Sequence, residues 1–173
     1  METILDPLFE IFPGLQQFGF GALVPIVAFA AVGILAQWSL YDKCGLPGID
    51  CIIPIKNVIT FLKIMGRPAS HSLIVMIPPP IIAGALVLIA DPTISYAAAA
   101  VIGLPWLYFM IKIYIELSQS FGHYKLTDYI LVTLFNGFYV LHLGLSHSEK
   151  YRGPVYAQKL DKDSEEQLNG QLA

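Results

Sequence analysis

Residues 43–68 read KCGLPGIDCIIPIKNVITFLKIMGRP. Proline, glycine and basic residues alternate here with isoleucine, between two far more apolar stretches. Placing Ile55–Gly66 on a helix puts Pro54 in the first turn, where a missing N–H costs little. Lys56, Thr60, Lys63 and Arg67 then follow at i, i+4, i+7 and i+11 as one polar stripe. Ile55, Val58, Ile59, Leu62 and Met65 cover the other side at helical spacing. A helix of about 12 residues is too short to cross a hydrocarbon core of about 30 Å. It is also too amphipathic to be buried all round. The pattern predicts an interfacial helix over about 55–66, with its basic residues toward anionic lipid. Lys56, Lys63 and Arg67 are thus candidate lipid contacts, or a basic platform for a partner or phosphate group.

The flanking stretches decide the fold class. Hydrophobic residues make up 55% of the 173 and charged residues 13%, against roughly a quarter charged in soluble domains. With a mean hydropathy of +0.63, this composition predicts an all-α integral membrane protein. Crossing requires roughly 20 apolar residues, and four stretches qualify: about 18–38, 71–90, 94–117 and 128–145. Only Asp91-Pro92-Thr93 separates the second from the third, which predicts a tight antiparallel hairpin. Pro78, Pro79 and Pro80 predict a kink or break in the second span, whose freed backbone groups need partners on neighbouring helices. Small residues such as Gly19, Ala22 and Ala28–Ala31 suit close helix approach. The expected architecture is four transmembrane helices plus the interfacial helix, with residues 146–173 as a polar, solvated tail.

Lys and Arg in short loops set orientation. None precedes the first span. Lys43, Lys56, Lys63 and Arg67 lie between the first two spans, and Lys125 between the last two. This pattern predicts cytoplasmic loops and an outside N-terminus, which carries Glu2, Asp6 and Glu10 without the basic n-region of a signal peptide. With four spans the tail is expected outside too.

The order Trp38…Tyr41-Asp42-Lys43-Cys44-Gly45-Leu46-Pro47-Gly48…Ile53-Pro54-Ile55-Lys56-Asn57…Leu62–Pro68 resembles a bacterial membrane family of unknown function. In that family a KAG-x-PGW-x-x-x-IPIYN stretch precedes an LLKI-x-GRP stretch. Leu117–Gly122 (LSQSFG) and Glu149–Pro154 (EKYRGP) are similar as well, so the resemblance covers about 35–155. Cys44, Ile49-Asp50 and Lys56 depart from the pattern, standing where alanine, tryptophan and tyrosine are expected. Similar sequence forms the membrane-embedded N-terminal module of some bacterial signal peptidase I proteins. That implies the bacterial inner membrane and protein export or processing machinery. Signal peptidase chemistry needs a serine nucleophile and lysine base on a substantial extracytoplasmic domain. The 28 residues after the last expected span leave no room for one, so the kinship is to the module and not to the protease.

Chemistry-bearing motifs are sparse. There is no HExxH and no GxSxG. Cys44 and Cys51 are spaced C-x6-C, unlike a redox C-x-x-C, and read as packing residues. His142 and His147, five apart, suit a shared metal poorly. Lys112 and Glu116, at i, i+4 in the third span, form a candidate intramembrane ion pair. They set helix depth at the interface, or serve an ion relay or docking contact. Thr133 and Asn136 in the fourth span, and Gln37 at the end of the first, suit interhelical hydrogen bonds.

No catalytic residue, cofactor or metal is expected, and no nucleic-acid partner. The leading expectation is a non-catalytic membrane subunit, a scaffold or accessory of an envelope complex, with lipids and other integral membrane proteins as partners. The alternative is a small transporter or channel acting as a homo-oligomer.

Overall fold

The computed structural model describes residues 23–172. The part of the first expected span over 18–22, and the N-terminal stretch before it, lie outside the described residues. Among the described residues every regular element is helical. Helix α1 is Leu23–Lys43, α2 Pro54–Met65, α3 His71–Met76 and α4 Pro78–Leu88. Helix α5 is Pro92–Ser120, α6 Leu126–Leu134, α7 Asn136–Leu145 and α8 Val155–Leu172. A 3-10 turn, Gly48–Ile52, joins α1 to α2.

Two of these are long and apolar enough to cross a membrane: the 18 residues His71–Leu88 and the 29 residues Pro92–Ser120. Only 6% of each qualifying window is buried within the protein. Val87 is 81% exposed and Val101 73% exposed. Apolar surface of that extent is stable against lipid and costly against water. The count rises to three if α6 and α7 together form one span.

The proline triplet acts as the sequence predicts, on a smaller scale. Helix α3 ends at Met76, Ile77 interrupts, and Pro78 opens α4 at its first position. Pro79 has no N–H to give the Val75 carbonyl four residues back. The Trp106 indole of α5 donates to that carbonyl instead, at 3.1 Å. The neighbouring helix thus repairs the ladder, and α3–α4 remains one candidate span. The hairpin to α5 is capped by Asp91, whose Oδ1 accepts from the Thr93 and Ile94 N–H groups at 2.8 and 3.2 Å.

The fourth expected span is not a straight crossing. Helices α6 and α7 meet at Phe135 with a bend of 110°, and a bend beyond a right angle turns the chain back. His123, just before α6, lies 2.8 Å from Glu149, just after α7. The chain therefore leaves α7 at the end where it enters α6. Helix α7 runs alongside α1, with Phe29 against Phe138 and Ser39 bonded to the Gly144 carbonyl.

The buried side chains gather at one end of the molecule, the loop end, rather than along the apolar helices. Leu40, Tyr41, Leu62, Ile64, Met65, Ile113, Leu117 and Leu143 form its centre. The tail also differs from expectation. Residues 155–172 form α8, and its first turn joins this end through the buried Val155 and through Tyr156. The expectation that the tail lies on the side opposite the basic loops is not met, because it packs at their end: Lys159 bonds Gln119 at 3.1 Å and the Arg152 N–H bonds the Ser120 carbonyl at 2.8 Å.

Candidate functional site

Helix α2 ends in a left-handed glycine, Gly66, at φ 80° and ψ 21°. The Gly66 N–H reaches the Lys63 carbonyl at 3.0 Å and the Arg67 N–H reaches the Leu62 carbonyl at 3.1 Å. This paired closure satisfies two orphan carbonyls and turns Arg67 inward. A side chain on Gly66 would also collide with Pro154 and Ala157. Glycine is required twice over, for the backbone angle and for seating the start of α8.

Arg67 is 5% exposed and Glu116 2% exposed. Arg67 Nε donates to Glu116 Oε2 at 2.6 Å, and Arg67 Nη2 donates to Oε1 at 2.9 Å. The fork-on-fork geometry is the strongest an arginine makes with a carboxylate. The guanidinium carbon lies 4.9 Å from the Phe109 ring centre and 4.5 Å from that of Tyr156, within cation–π range. Arg67 Nη1 lies 3.1 Å from His71 Nδ1. Arginine has no acceptor, so His71 accepts there through an unprotonated Nδ1. The ionic and aromatic partners come from four segments: the α2 end, α3, α5 and α8.

This arrangement corrects two expectations. Glu116 pairs with Arg67, 49 residues away, and not with Lys112, which is exposed. A bidentate guanidinium satisfies both carboxylate oxygens in a dry site, whereas Lys112 can reach the surface on its flexible stem. The polar stripe of α2 also divides. Lys56 and Lys63 are exposed as a lipid or partner contact requires. Arg67 is buried, and so is Thr60, whose hydroxyl donates to Asp50 Oδ2 at 2.7 Å.

Elsewhere at the loop end, Glu149 gathers two histidines. His123 Nε2 is 2.8 Å from Glu149 Oε2, and His142 Nε2 is 3.4 Å from Oε1. Burial pushes the Glu149 carboxyl up, but the hydrogen bond and charge of His123, joined by those of His142, outweigh it and hold it below the usual carboxylate range. Tyr151 donates to the Ile64 carbonyl at 2.6 Å, and burial pushes its hydroxyl up to about 12. Lys43 Nζ caps the end of α7, donating to the Leu143 and Ser146 carbonyls at 2.7 and 2.6 Å.

A third group lies where α1 meets α2. Gln37 Nε2 donates to Asn57 Oδ1 at 2.7 Å and to the Tyr41 hydroxyl at 3.1 Å. Tyr41 in turn bonds the Asn57 carbonyl at 2.9 Å. Asn57 and Tyr41 escaped the sequence reading as polar partners, though a tyrosine and an asparagine flanking a Pro-Gly turn are a usable signal. The stretches GRP, LSQSFG and EKYRGP, far apart in sequence, thus assemble into one layer at the loop end.

Residues 49–154 match the model of a family described as a family of unknown function (DUF5684). The match says nothing of signal peptidase modules. No curated protein and no solved structure matches the chain.

Proposed function

The chain belongs to the DUF5684 family of unknown function, and from that premise we propose that it is a non-catalytic membrane subunit, a scaffold or accessory of a bacterial envelope assembly. One contrast carries this reading. The buried charged groups of the loop end, Arg67 and Glu116, are spent on one another, while α8 leaves that end with its polar surface uncovered. Both oxygens of Glu116 are held by Arg67, which leaves little capacity for moving a proton or gripping a substrate. From Gln158 to Gln167, by contrast, every residue of α8 is exposed. A helix polar all round is supported by a partner or by its own i, i+4 pairs. Lys159–Asp163 and Lys162–Glu166 supply only two of the latter. Helix α8 is therefore the docking arm. Export or processing machinery is the favoured partner class, on the resemblance of residues 35–155 alone.

In this proposal α1, α3–α4 and α5 cross the membrane and α6–α7 dips in and returns. Helix α1 is added here to the two candidate spans above because, at 1.5 Å per residue, its 21 residues cover about 31 Å, the thickness of the hydrocarbon core. Of the ten basic residues, all but Lys112 lie at the loop end of α1 (Lys43), in the loop-end connections, in α2, in α8 or in the segment before it. The positive-inside rule puts that end in the cytoplasm and the N-terminus outside.

The test is chromosomal tagging, gentle extraction and mass spectrometry of what co-purifies. A stoichiometric set of envelope proteins is expected, lost when Leu160→Asp, Glu165→Lys and Glu166→Lys are combined on the arm. A protein that purifies alone or only with itself overturns the subunit reading. The second reading, a homo-oligomeric transporter or channel, is favoured by one feature, the re-entrant α6–α7 pair. Broken helices at membrane depth line pathways more often than lipid. Ion or solute flux in liposomes, abolished by Glu116→Gln in a folded protein, would carry it.

A further inference from the structure

A cavity of about 460 Å³ opens between α1, α2, α5 and α7. That volume falls in the range of roughly 300–1,000 Å³ typical of small-molecule sites. Phe29, Val58, Phe61, Met110 and Val140 supply apolar wall, and among the described residues no charged side chain lines it. Along α1 the lining runs from Phe29 to Gln37. Eight residues of helix amount to about 12 Å of depth. Along the α1 wall polarity falls with that depth: Gln37 and Asn57 close the end nearest the loops, and Phe29 and Ala30 mark the far end, which the single amide of Asn136 at the start of α7 also lines. Tyr114 and Asn136, also uncharged, line the wall of α5 and α7.

We propose that this cavity binds a single neutral membrane lipid, with its hydrocarbon chain toward Phe29 and an uncharged, hydrogen-bond-donating head at Gln37 and Asn57. Three observations select that chemistry. The long axis runs from polar to apolar in the sense of a lipid standing in the leaflet on the loop-end side. A charge at the head would be desolvated against a wall with no counter-charge, which is costly. Gln37 Oε1 receives one long bond from Asn57 Nδ2, at 3.4 Å, so the amide network retains an acceptor. A hydroxyl head fits that acceptor, whereas a phosphate has no partner. Occupancy is compatible with either functional reading above, and its test does not depend on them.

Two glycines make the test clean. Gly33 and Gly137 line the cavity, and a Cβ added at either meets nothing within 4 Å. Neither has a positive φ, so leucine fits both backbones and projects into empty space. The full-length protein in detergent is titrated with a diacylglycerol carrying a diazirine in one acyl chain, and cross-links are mapped by mass spectrometry. Phosphatidic acid with the same chains is run beside it. Diacylglycerol is expected to label Phe61 and Met110, and Gly33→Leu to cut that labelling about tenfold without lowering the melting temperature. If Gly33→Leu fails to fold, Gly137→Leu on the facing wall carries the same expectation. Labelling confined to the outer faces of α4 and α5, unchanged by both substitutions, overturns the site. Equal labelling of Phe61 and Met110 by phosphatidic acid overturns the neutral head.

Discussion

Removing one charge from the Arg67–Glu116 pair strands the other where it has little water to answer it. Both side chains are 3% exposed. Breaking a buried pair from one side costs about 3–5 kcal/mol, whereas replacing both partners by apolar groups is often neutral. Glu116→Gln is therefore expected to lower unfolding stability by about 3 kcal/mol. The double variant Arg67→Met with Glu116→Leu should recover most of that loss. Thermal or denaturant unfolding in detergent, run as a double-mutant cycle, measures it. Losses that simply add would mean that the two residues act independently. The importance of Glu116 was legible in the sequence, as an ionisable residue in an apolar run, but its partner was not. An i, i+4 rule sees only one helix, and the arginine that reaches Glu116 is set by a glycine turn 49 residues away. The same limit applies to Thr60: helical spacing groups it with two exposed lysines, and the neighbouring 3-10 turn buries it against Asp50.

Helix periodicity located α2 and α5 because length and apolar runs suffice for such elements. Composition misjudged the two that depend on context. The run 128–145 is apolar enough to be a span, yet its Asn136-Gly137 dipeptide is a turn signal, and the chain bends beside it at Phe135. The tail is poor in apolar residues, but its first turn carries Val155 and Tyr156, meets a prepared surface at Gly66 and Arg67, and propagates from there. Contact between elements also fixes where small residues are needed. At the crossing of α1 and α7, a methyl on Gly144 would overlap the backbone carbonyl of Ala36, which no rotamer can relieve. Gly144→Ala is thus expected to push the helices apart and destabilise by about 1–3 kcal/mol. In contrast, Gly84→Ala on α4, where a Cβ meets nothing within 4 Å, should be neutral or stabilising, as glycine weakens a helix by up to about 1 kcal/mol. Unfolding midpoints of the two variants compare them directly. A Gly144→Ala protein as stable as its parent would show that the crossing yields freely.

The described residues divide into a packed loop end and a splayed body whose exposed apolar faces suit lipid, and this division constrains topology. A cation–π contact ties Arg67 to Tyr156, and hydrogen bonds tie Gln119 to Lys159 and Ser120 to Arg152, so the 43–70 connection and the tail share one end. An even number of crossings would separate the N-terminus and the tail from that connection together; in the topology proposed above, a re-entrant α6–α7 leaves three crossings and separates only the N-terminus. Single-cysteine labelling can decide. The native background is quiet, because burial pushes the Cys44 thiol up to about 12 against the pull of Lys43, and burial also raises Cys51. At neutral pH both remain thiols, which react slowly with maleimide. Lys63→Cys, Tyr124→Cys and Ser164→Cys, all at exposed positions, should label only once the cytoplasmic side is opened. Ala90→Cys, at the turn between α4 and α5, should label in intact cells stripped of their outer barrier. If Ser164→Cys reports the side opposite to Lys63→Cys, then α6–α7 crosses, and the contacts of α8 with Arg67 and Gln119 cannot exist in the membrane. If both label only once the cytoplasmic side is opened, α8 stands in the cytoplasm beside the basic face of α2, where a soluble partner or the cytoplasmic part of a membrane complex can reach both.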